Sequence, residues 1–137
     1  MNTQAVTTKL RMRYPGKTII KNNEKDPTEI LCEVEPTSKH PDHSLAVSVI
    51  DKSLPHVHEK STEIYKVVRG KLELNVDGEV IKLIEGEKHT ISPGQTHWAE
   101  GNETWVECSS KPGWTPEDHV LVECVRGLSL QGPVHQR

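Results

Sequence analysis

Apolar and polar residues alternate with a period of two along most of this chain, a pattern that is typical of half-buried β-strands. Six short runs follow the pattern, at residues 45–50, 64–68, 72–76, 80–84, 104–108 and 120–125. Asp77-Gly78, between two of these runs, predicts a two-residue hairpin turn, because such turns need residues that tolerate a positive φ. No stretch repeats apolar residues at helical spacing for long enough to predict a helix. The chain is therefore predicted to be all-β, as a sandwich, barrel or jelly roll.

The beginning of the chain differs from the rest. Two possible strands, residues 18–21 and 29–35, lie there among charged and turn-forming residues. We interpret residues 1–44 as an N-terminal arm of the same domain, which packs along the barrel or pairs with a second subunit. Residues 45–126 are predicted to form the barrel and residues 127–137 a flexible tail. A total of 137 residues is the size of one domain.

Composition and charge narrow the class of protein. A net charge of -3 offers no basic surface to nucleic acid. No apolar run approaches the roughly 18 residues of a membrane span, and the first residues lack the apolar core of a signal peptide. The three cysteines are odd in number and far apart, so reduced thiols are expected rather than a disulfide framework. These features predict a cytoplasmic protein with neither nucleic-acid nor membrane partners.

Three histidines and a glutamate form the most informative group. His56 and His58 are two residues apart, so an extended strand presents both side chains on one face. Glu63 begins the next strand, and His97 follows a Ser-Pro-Gly turn that can bring it back toward the first two histidines. Three imidazole nitrogens and a carboxylate oxygen suit a divalent transition metal such as Fe, Mn, Ni or Zn. We therefore predict one such ion per chain on these four residues.

The same residues resemble the two sequence motifs of the cupin family. The first motif, H-x-H-x4-E-x6-G, is matched in full by His56, His58, Glu63 and Gly70. The second motif, G-x5-P-x-G-x2-H-x3-N, is matched at Gly86, Gly94 and His97. The departures, at Ile50, Ser92 and Asn102, concern turns rather than metal ligands. The resemblance covers about residues 45–126. It implies a single jelly-roll β-barrel with the metal inside, and a homodimer whose terminal strands pair across the interface.

Three hypotheses about function stay open, because cupin barrels host many chemistries. The first is an enzyme that acts on a small oxygenated metabolite, such as a sugar, a sugar derivative or a keto acid. It would use metal-assisted isomerisation, epimerisation or lyase chemistry. The second is an Fe(II) dioxygenase that binds substrate and dioxygen together. The third is a module that binds or senses a small ligand without turning it over.

Several further residues are candidates for binding or catalysis. Tyr65 shares the inward face of its strand with Glu63, so its phenol could hydrogen-bond a ligand or move a proton. Glu63 could also carry a proton if it detached from the metal. His89 lies on the strand that approaches the second motif. Trp105 and Glu107 follow that motif with shared parity and are expected, like Tyr65 and His89, to bind substrate.

The other histidines and one Pro-rich segment lie in turn or tail sequence. His40, His43 and His135 are predicted to be solvated rather than to form a second metal site. The stretch KPGWTPEDH, residues 111–119, predicts a lid or a cap on an edge strand, with Trp114 packed on the barrel.

Overall fold

The computed structural model describes residues 1–122 and the backbone of residues 124–125, 128–129 and 134–135. In this part of the chain one α-helix, α1 (Thr3–Arg13), precedes the first strand. The strands follow in chain order as β1 (Thr18–Lys21), β2 (Glu29–Glu35), β3 (Ser44–Lys52), β4 (His56–Val57), β5 (Thr62–Arg69), β6 (Leu72–Val76), β7 (Glu79–Leu83), β8 (Lys88–Ile91), β9 (His97–Lys111), β10 (Val120–Leu121), β11 (Cys124–Val125), β12 (Leu128–Ser129) and β13 (Val134–His135). A 3-10 turn, Pro116–Asp118, lies between β9 and β10.

Strand β9 occupies the middle of a curled antiparallel sheet. Its second half pairs with β3 on one side and with β5 on the other, while its first half pairs with β6 and β4. Strands β2 and β1 continue the sheet beyond β3, β8 continues it beyond β5, and β7 continues it beyond β6. The result confirms the predicted all-β barrel of jelly-roll type.

Strand β9 bends where it changes partners. Glu103 has a φ of 46°, and the register with β3 shifts between Ile50 and Lys52. A Cβ atom on Gly101 would lie 2.9 Å from the carbonyl oxygen of Ile50, so glycine is needed for the two strands to approach this closely. The bend lets one strand serve both parts of the curled sheet.

Two hydrophobic clusters lie on opposite faces of the sheet. The inner face, which fills the barrel, carries a cluster of Ile50, Tyr65, Val67, Leu72, Leu74, Val76, Leu83, Ile91, Ala99, Val106 and Cys108. On the outer face, α1 packs against β2, β3 and β9, and together these elements form a second cluster of Val6, Leu10, Ile30, Cys32, Val47, Val49 and Trp105. Strand β3 contributes to both clusters, which explains why its sequence is almost continuously apolar.

Helix α1 contradicts the expectation that the chain contains no helix. Its buried side chains are Val6, Thr7 and Leu10, and most of its other residues are polar or charged, although Met12 is 78% exposed. One pair of apolar residues a single turn apart is too short a repeat to be recognised by its period. The helix is stabilised by packing on the outer cluster, and Asn2 caps it by accepting a hydrogen bond from the backbone of Ala5 at 3.1 Å.

The proposed N-terminal arm lies in the sheet, where β1 and β2 are placed beside β3. Pairing of the arm with a second subunit, and with it the homodimer, stays a prediction. Cys32 and Cys108 are both buried. The side chain of Cys124 and the predicted flexible tail, residues 127–137, lie outside the residues that the structure describes in full. Among the described residues no helix has the length and apolar character that crossing a membrane requires.

Candidate metal centre

Four residues from three strands and one connection meet at one end of the barrel. His56 on β4 is the direct register partner of His97, the first residue of β9. His58 follows β4, and Glu63 lies on β5. All four side chains are almost fully buried, with at most 3% of their surface exposed. One ligand atom from each residue lies within 4.8 Å of the others, so the structure brings together the residues that the spacing predicts.

Two backbone carbonyls orient two of the three imidazole rings of this cluster. The carbonyl of Leu54 accepts a hydrogen bond from His56 Nδ1 at 2.7 Å, and that of Gln95 accepts one from His97 Nδ1 at 3.0 Å. In a neutral imidazole a proton on Nδ1 leaves a lone pair on Nε2. Hydrogen bonds of this kind are typical of metal-ligating histidines, because they select the tautomer and hold the ring.

The Glu63 carboxylate and the ring nitrogens of His58 and His97 lie in an arrangement that suits a bound cation. Glu63 Oε1 lies 3.3 Å from His97 Nε2 and 3.5 Å from His58 Nε2. Because His97 Nδ1 donates to a carbonyl, its neutral ring would direct a lone pair at this carboxylate oxygen. In the described part of the chain, neither ring nitrogen of His58 has a hydrogen-bond partner. Buried nitrogens without partners are costly, and a metal ion among the four residues would remove that cost. The donor set therefore fits a divalent transition metal.

Charge and burial favour the protonation states that metal ligands need. Burial alone would raise the pKa of Glu63, but His58 and His97 outweigh it and hold that pKa well below its usual value of 4.5. Burial, reinforced by His97 and the other nearby imidazoles, lowers the pKa of His56 well below 6.5. An ionised carboxylate and a neutral imidazole are the forms that bind metals.

Two of the other candidates lie on the same face as the cluster. Tyr65 is buried on β5, and its ring centroid is 6.0 Å from that of His97 in an edge-on contact. His89 on β8 is the direct register partner of Tyr65 and is half-buried. Directly opposed residues in an antiparallel ladder point to the same side of the sheet, so His89 lies on the inner face beside Tyr65.

The structure does not bring Trp105 and Glu107 to the cluster. The inward residues of this part of β9 are Val106 and Cys108, so the residues that alternate with them face outward. Trp105 packs in the outer cluster, with the guanidinium of Arg13 located 5.2 Å from its ring centroid. Glu107 lies two residues along on the same outer face and is half-buried. This placement corrects the expectation that the pair binds substrate.

The chain matches the family model of a cupin domain over residues 30–108, which is more than half of its length. It belongs to the cupin family. No curated protein matches the sequence of this cupin.

Solved structures with the same fold include three with descriptive names. KdgF from Halomonas sp. is 24% identical with a TM-score of 0.58, and the match covers 66% of this cupin and 85% of KdgF. Pac13 of Streptomyces, described as a unique nucleoside dehydratase, is 14% identical with a TM-score of 0.67, over 79% of this chain and 88% of Pac13. A predicted oxalate decarboxylase from Thermotoga maritima is 17% identical with a TM-score of 0.60, over 70% and 91%. At these identities the matches show a shared fold.

One further imidazole at the cupin site, that of His119, was not identified from the sequence. It is 7% exposed, and its ring stacks on that of His56 with 4.2 Å between centroids. It also meets His58 edge-on at 5.2 Å, and its Nδ1 accepts a hydrogen bond from the indole of Trp114 at 3.3 Å. The feature of the sequence that contains His119 is the stretch KPGWTPEDH, which we interpreted as a lid or a strand cap. No spacing along the chain indicates that position 119 contacts position 56.

A second group of possible ligands, which consists of His40, Asp42 and His43, lies on the surface. His40 Nδ1 contacts the carbonyl of His43 at 2.7 Å, and its Nε2 contacts Glu35 at 3.0 Å. The hydrogen bond with Glu35 raises the pKa of His40. Both ring nitrogens of His40 therefore have partners within the protein, and the expectation that these histidines form no second metal site stays a prediction.

Proposed function

We propose that this cupin is a metal-dependent enzyme that acts on a small oxygenated metabolite, such as a sugar, a sugar derivative or a keto acid. The reaction would be an isomerisation, an epimerisation or an elimination. The observation that carries the proposal is the convergence of His58 Nε2 and His97 Nε2 on one buried carboxylate oxygen, at 3.5 and 3.3 Å, together with the lack of any hydrogen-bond partner for His58 Nδ1 among the described residues.

The four protein ligands leave room for substrate at an ion that prefers six donors. A divalent ion held by His56, His58, Glu63 and His97 would act as a Lewis acid on a carbonyl or hydroxyl oxygen of the substrate. The chain itself would supply the rigid barrel that holds these donors and a buried environment that excludes bulk water.

Tyr65 is the side chain best placed to move a proton. Its ring is buried on the face of β5 that also carries Glu63 and lies against His97. A phenol can both donate and accept a hydrogen bond. Glu63 is a poorer proton carrier, because a carboxylate with a pKa well below 4.5 is a weak base. We therefore assign proton transfer to Tyr65 and metal binding to Glu63.

The names of two structural relatives support a lyase reaction. Pac13 is described as a nucleoside dehydratase, and the Thermotoga maritima protein as a predicted oxalate decarboxylase. Dehydration and decarboxylation are both lyase reactions, in which a bond breaks at a carbon next to oxygen-bearing groups. An elimination on a hydroxylated substrate is thus the first reaction to test.

The test begins with protein that has been stripped of metal with a chelator and reloaded separately with Mn²⁺, Fe²⁺, Co²⁺, Ni²⁺ or Zn²⁺. Each form is incubated with panels of sugars, uronic acids, keto acids and nucleosides, and NMR detects new products. We expect turnover of one class of substrate that requires a metal. The His58→Ala variant, treated in the same way, is the control and should show no turnover.

Other outcomes separate the alternative functions. Oxygen consumption coupled to product formation only with Fe²⁺ would support the dioxygenase and contradict an isomerase or lyase. Tight metal and ligand binding without any product would support the binding module. Failure of the stripped protein to bind any of the five ions would contradict metal-dependent catalysis altogether.

A further inference from the structure

A buried carboxylate holds the connection between two of the four cluster residues. Asp118 ends the 3-10 turn Pro116–Asp118, and its side chain is only 8% exposed. Its Oδ1 accepts hydrogen bonds from the backbone N–H groups of Glu59 and Lys60, both at 3.0 Å. Its Oδ2 accepts a bond from the backbone N–H of Ser61 at 3.1 Å and a longer one from Lys60 at 3.3 Å.

The three backbone donors lie between His58 and Glu63, in the segment that joins β4 to β5. Glu59 and Lys60 have exposed side chains, so side-chain packing does little to hold this segment. Three consecutive N–H groups that converge on one carboxylate fix the backbone directly, and bonds to a charged acceptor are stronger than neutral ones. The conformation of the connection between His58 and Glu63 therefore depends on where Asp118 is held.

Asp118 is itself held in place by the segment around it. The backbone N–H of Trp114 donates to Ser44 Oγ at 2.9 Å, which fixes the segment to β3. The hydroxyl of Ser61 donates to the carbonyl of Pro112 at 2.9 Å, which adds a second bond between this segment and the β4–β5 connection. On the other side of Asp118, His119 stacks on His56.

We propose that Asp118 is a positioning residue for the metal centre, an inference that rests on the metal binding in the proposed function. It holds the β4–β5 connection in the conformation that directs His58 and Glu63 at one ion. Asp118 does not touch the ion and acts only through the backbone of residues 59–61.

The test compares Asp118→Ala with Glu117→Ala in the full chain. Glu117 is the exposed neighbour of Asp118 on the same turn, so the control removes an equal charge from the same place. Both variants and the wild type are stripped of metal, and Co²⁺ affinity is measured by competition with a coloured chelator. The visible spectrum of bound Co²⁺ reports the ligand geometry, which a loss of general stability would not change.

We expect Asp118→Ala to bind Co²⁺ roughly 10- to 100-fold more weakly than the wild type and with an altered spectrum, since losses of this size follow removal of groups that orient metal ligands. Glu117→Ala should match the wild type. Asp118→Asn keeps one acceptor oxygen but directs an amide N–H₂ at backbone donors. Its affinity for Co²⁺ should therefore lie between that of the wild type and that of Asp118→Ala. If the alanine variant does not fold, the asparagine variant decides the question.

If the wild type binds Co²⁺ and the Asp118 variants bind it with the same affinity and spectrum, the positioning role alone is overturned. An equal loss in Glu117→Ala would also overturn it, because the effect would then belong to surface charge. A wild-type protein that binds no Co²⁺ would overturn the inference together with the proposed function, so the two failures are distinguishable.

Discussion

Two groups of histidines and carboxylates in this cupin have similar composition and very different surroundings. His56, His58, Glu63 and His97 lie inside the barrel, while His40, Asp42 and His43 lie on the surface. In each group one ligand atom per residue lies within 4.8 Å of the others. Residue type and proximity are thus common to both groups and do not by themselves identify a metal site.

The difference lies in how the polar atoms are satisfied. His40 has a hydrogen-bond contact at each ring nitrogen, and solvent is available to Asp42 and His43. In the barrel, both nitrogens of His58 are buried without a hydrogen-bond partner among the described residues. An exposed group gains little by exchanging water for a metal, whereas a buried group with unpaired atoms gains a great deal.

The largest effect is expected for His58→Ala, which removes one ligand from the buried group. This change removes one of the four donors and a buried side chain that contacts Glu63 at 3.5 Å, so the metal-free fold should lose some stability but remain folded. Metal affinity should fall by more than the roughly 10- to 100-fold that follows loss of a group that merely orients a ligand. Elemental analysis and thermal unfolding of the stripped protein measure the two quantities.

The matched control is His43→Ala, because His43 belongs to the surface group and is about half exposed. It should leave metal content unchanged. A loss of metal from His43→Ala equal to that from His58→Ala would contradict the distinction between the two groups, and global unfolding of His58→Ala would contradict a purely metal-binding role.

A second way to break the comparison is to loosen the packing around the buried group. Ile91 is 1% exposed in the inner cluster and is the register partner of Glu63. Ile91→Ala should lower the free energy of unfolding of the metal-free protein by roughly 2–5 kcal/mol, measured by urea denaturation. Water admitted next to Glu63 should also weaken metal binding, because a hydrated carboxylate gains less from the ion.

The conservative change Ile91→Val grades this effect, with an expected cost of roughly 0.5–1.5 kcal/mol. Metal affinity should follow the same order as stability: wild type, then valine, then alanine. An alanine variant that loses stability but keeps the wild-type affinity would show that packing at Ile91 does not set the environment of Glu63.

Tyr65→Phe sharpens the comparison by separating metal binding from catalysis. The phenol lies beside the buried group, whereas the other tyrosine, Tyr14, packs at the edge of the outer cluster. Removing the hydroxyl of Tyr65 should leave metal content intact and lower kcat by about 100-fold, a typical contribution of general acid–base catalysis. Tyr14→Phe is the control, and full activity in Tyr65→Phe would make Tyr65 a structural residue.

Much of the barrel could be predicted because strand alternation and turn chemistry are local signals. The Asp77-Gly78 hairpin is an example, since both residues have positive φ and β6 pairs with β7 around them. Helix α1 was not predicted, because two buried apolar residues one turn apart are too few to define a helical period. The helix is stabilised by packing on the outer cluster. Strand β9 is longer than predicted because its polar first half is held by pairing with β6.

The candidate site divides in the same way. His56 and His58 are two residues apart at the end of β4, and this spacing could be recognised in the sequence. The position of Trp105 could not be predicted from the sequence, because both faces of β9 are buried and the alternation of residues does not say which face is the interior. His119 contacts His56 and Asp118 contacts Ser61 across more than fifty residues of sequence, and such tertiary contacts leave no local pattern.

The smallest effect expected is a difference in titration between one histidine of each group. Burial and neighbouring imidazoles hold the pKa of His56 well below 6.5, whereas the hydrogen bond with Glu35 raises the pKa of His40 above that value. NMR titration of the imidazole C–H signals in metal-free protein measures both pKa values. Glu35→Gln should return the pKa of His40 toward 6.5 and leave that of His56 unchanged. Equal pKa values for the two histidines would show that burial is not what separates the groups. If the pKa values differ as expected, there is a pH range in which the surface ring is protonated while the buried ring keeps its lone pair for a metal.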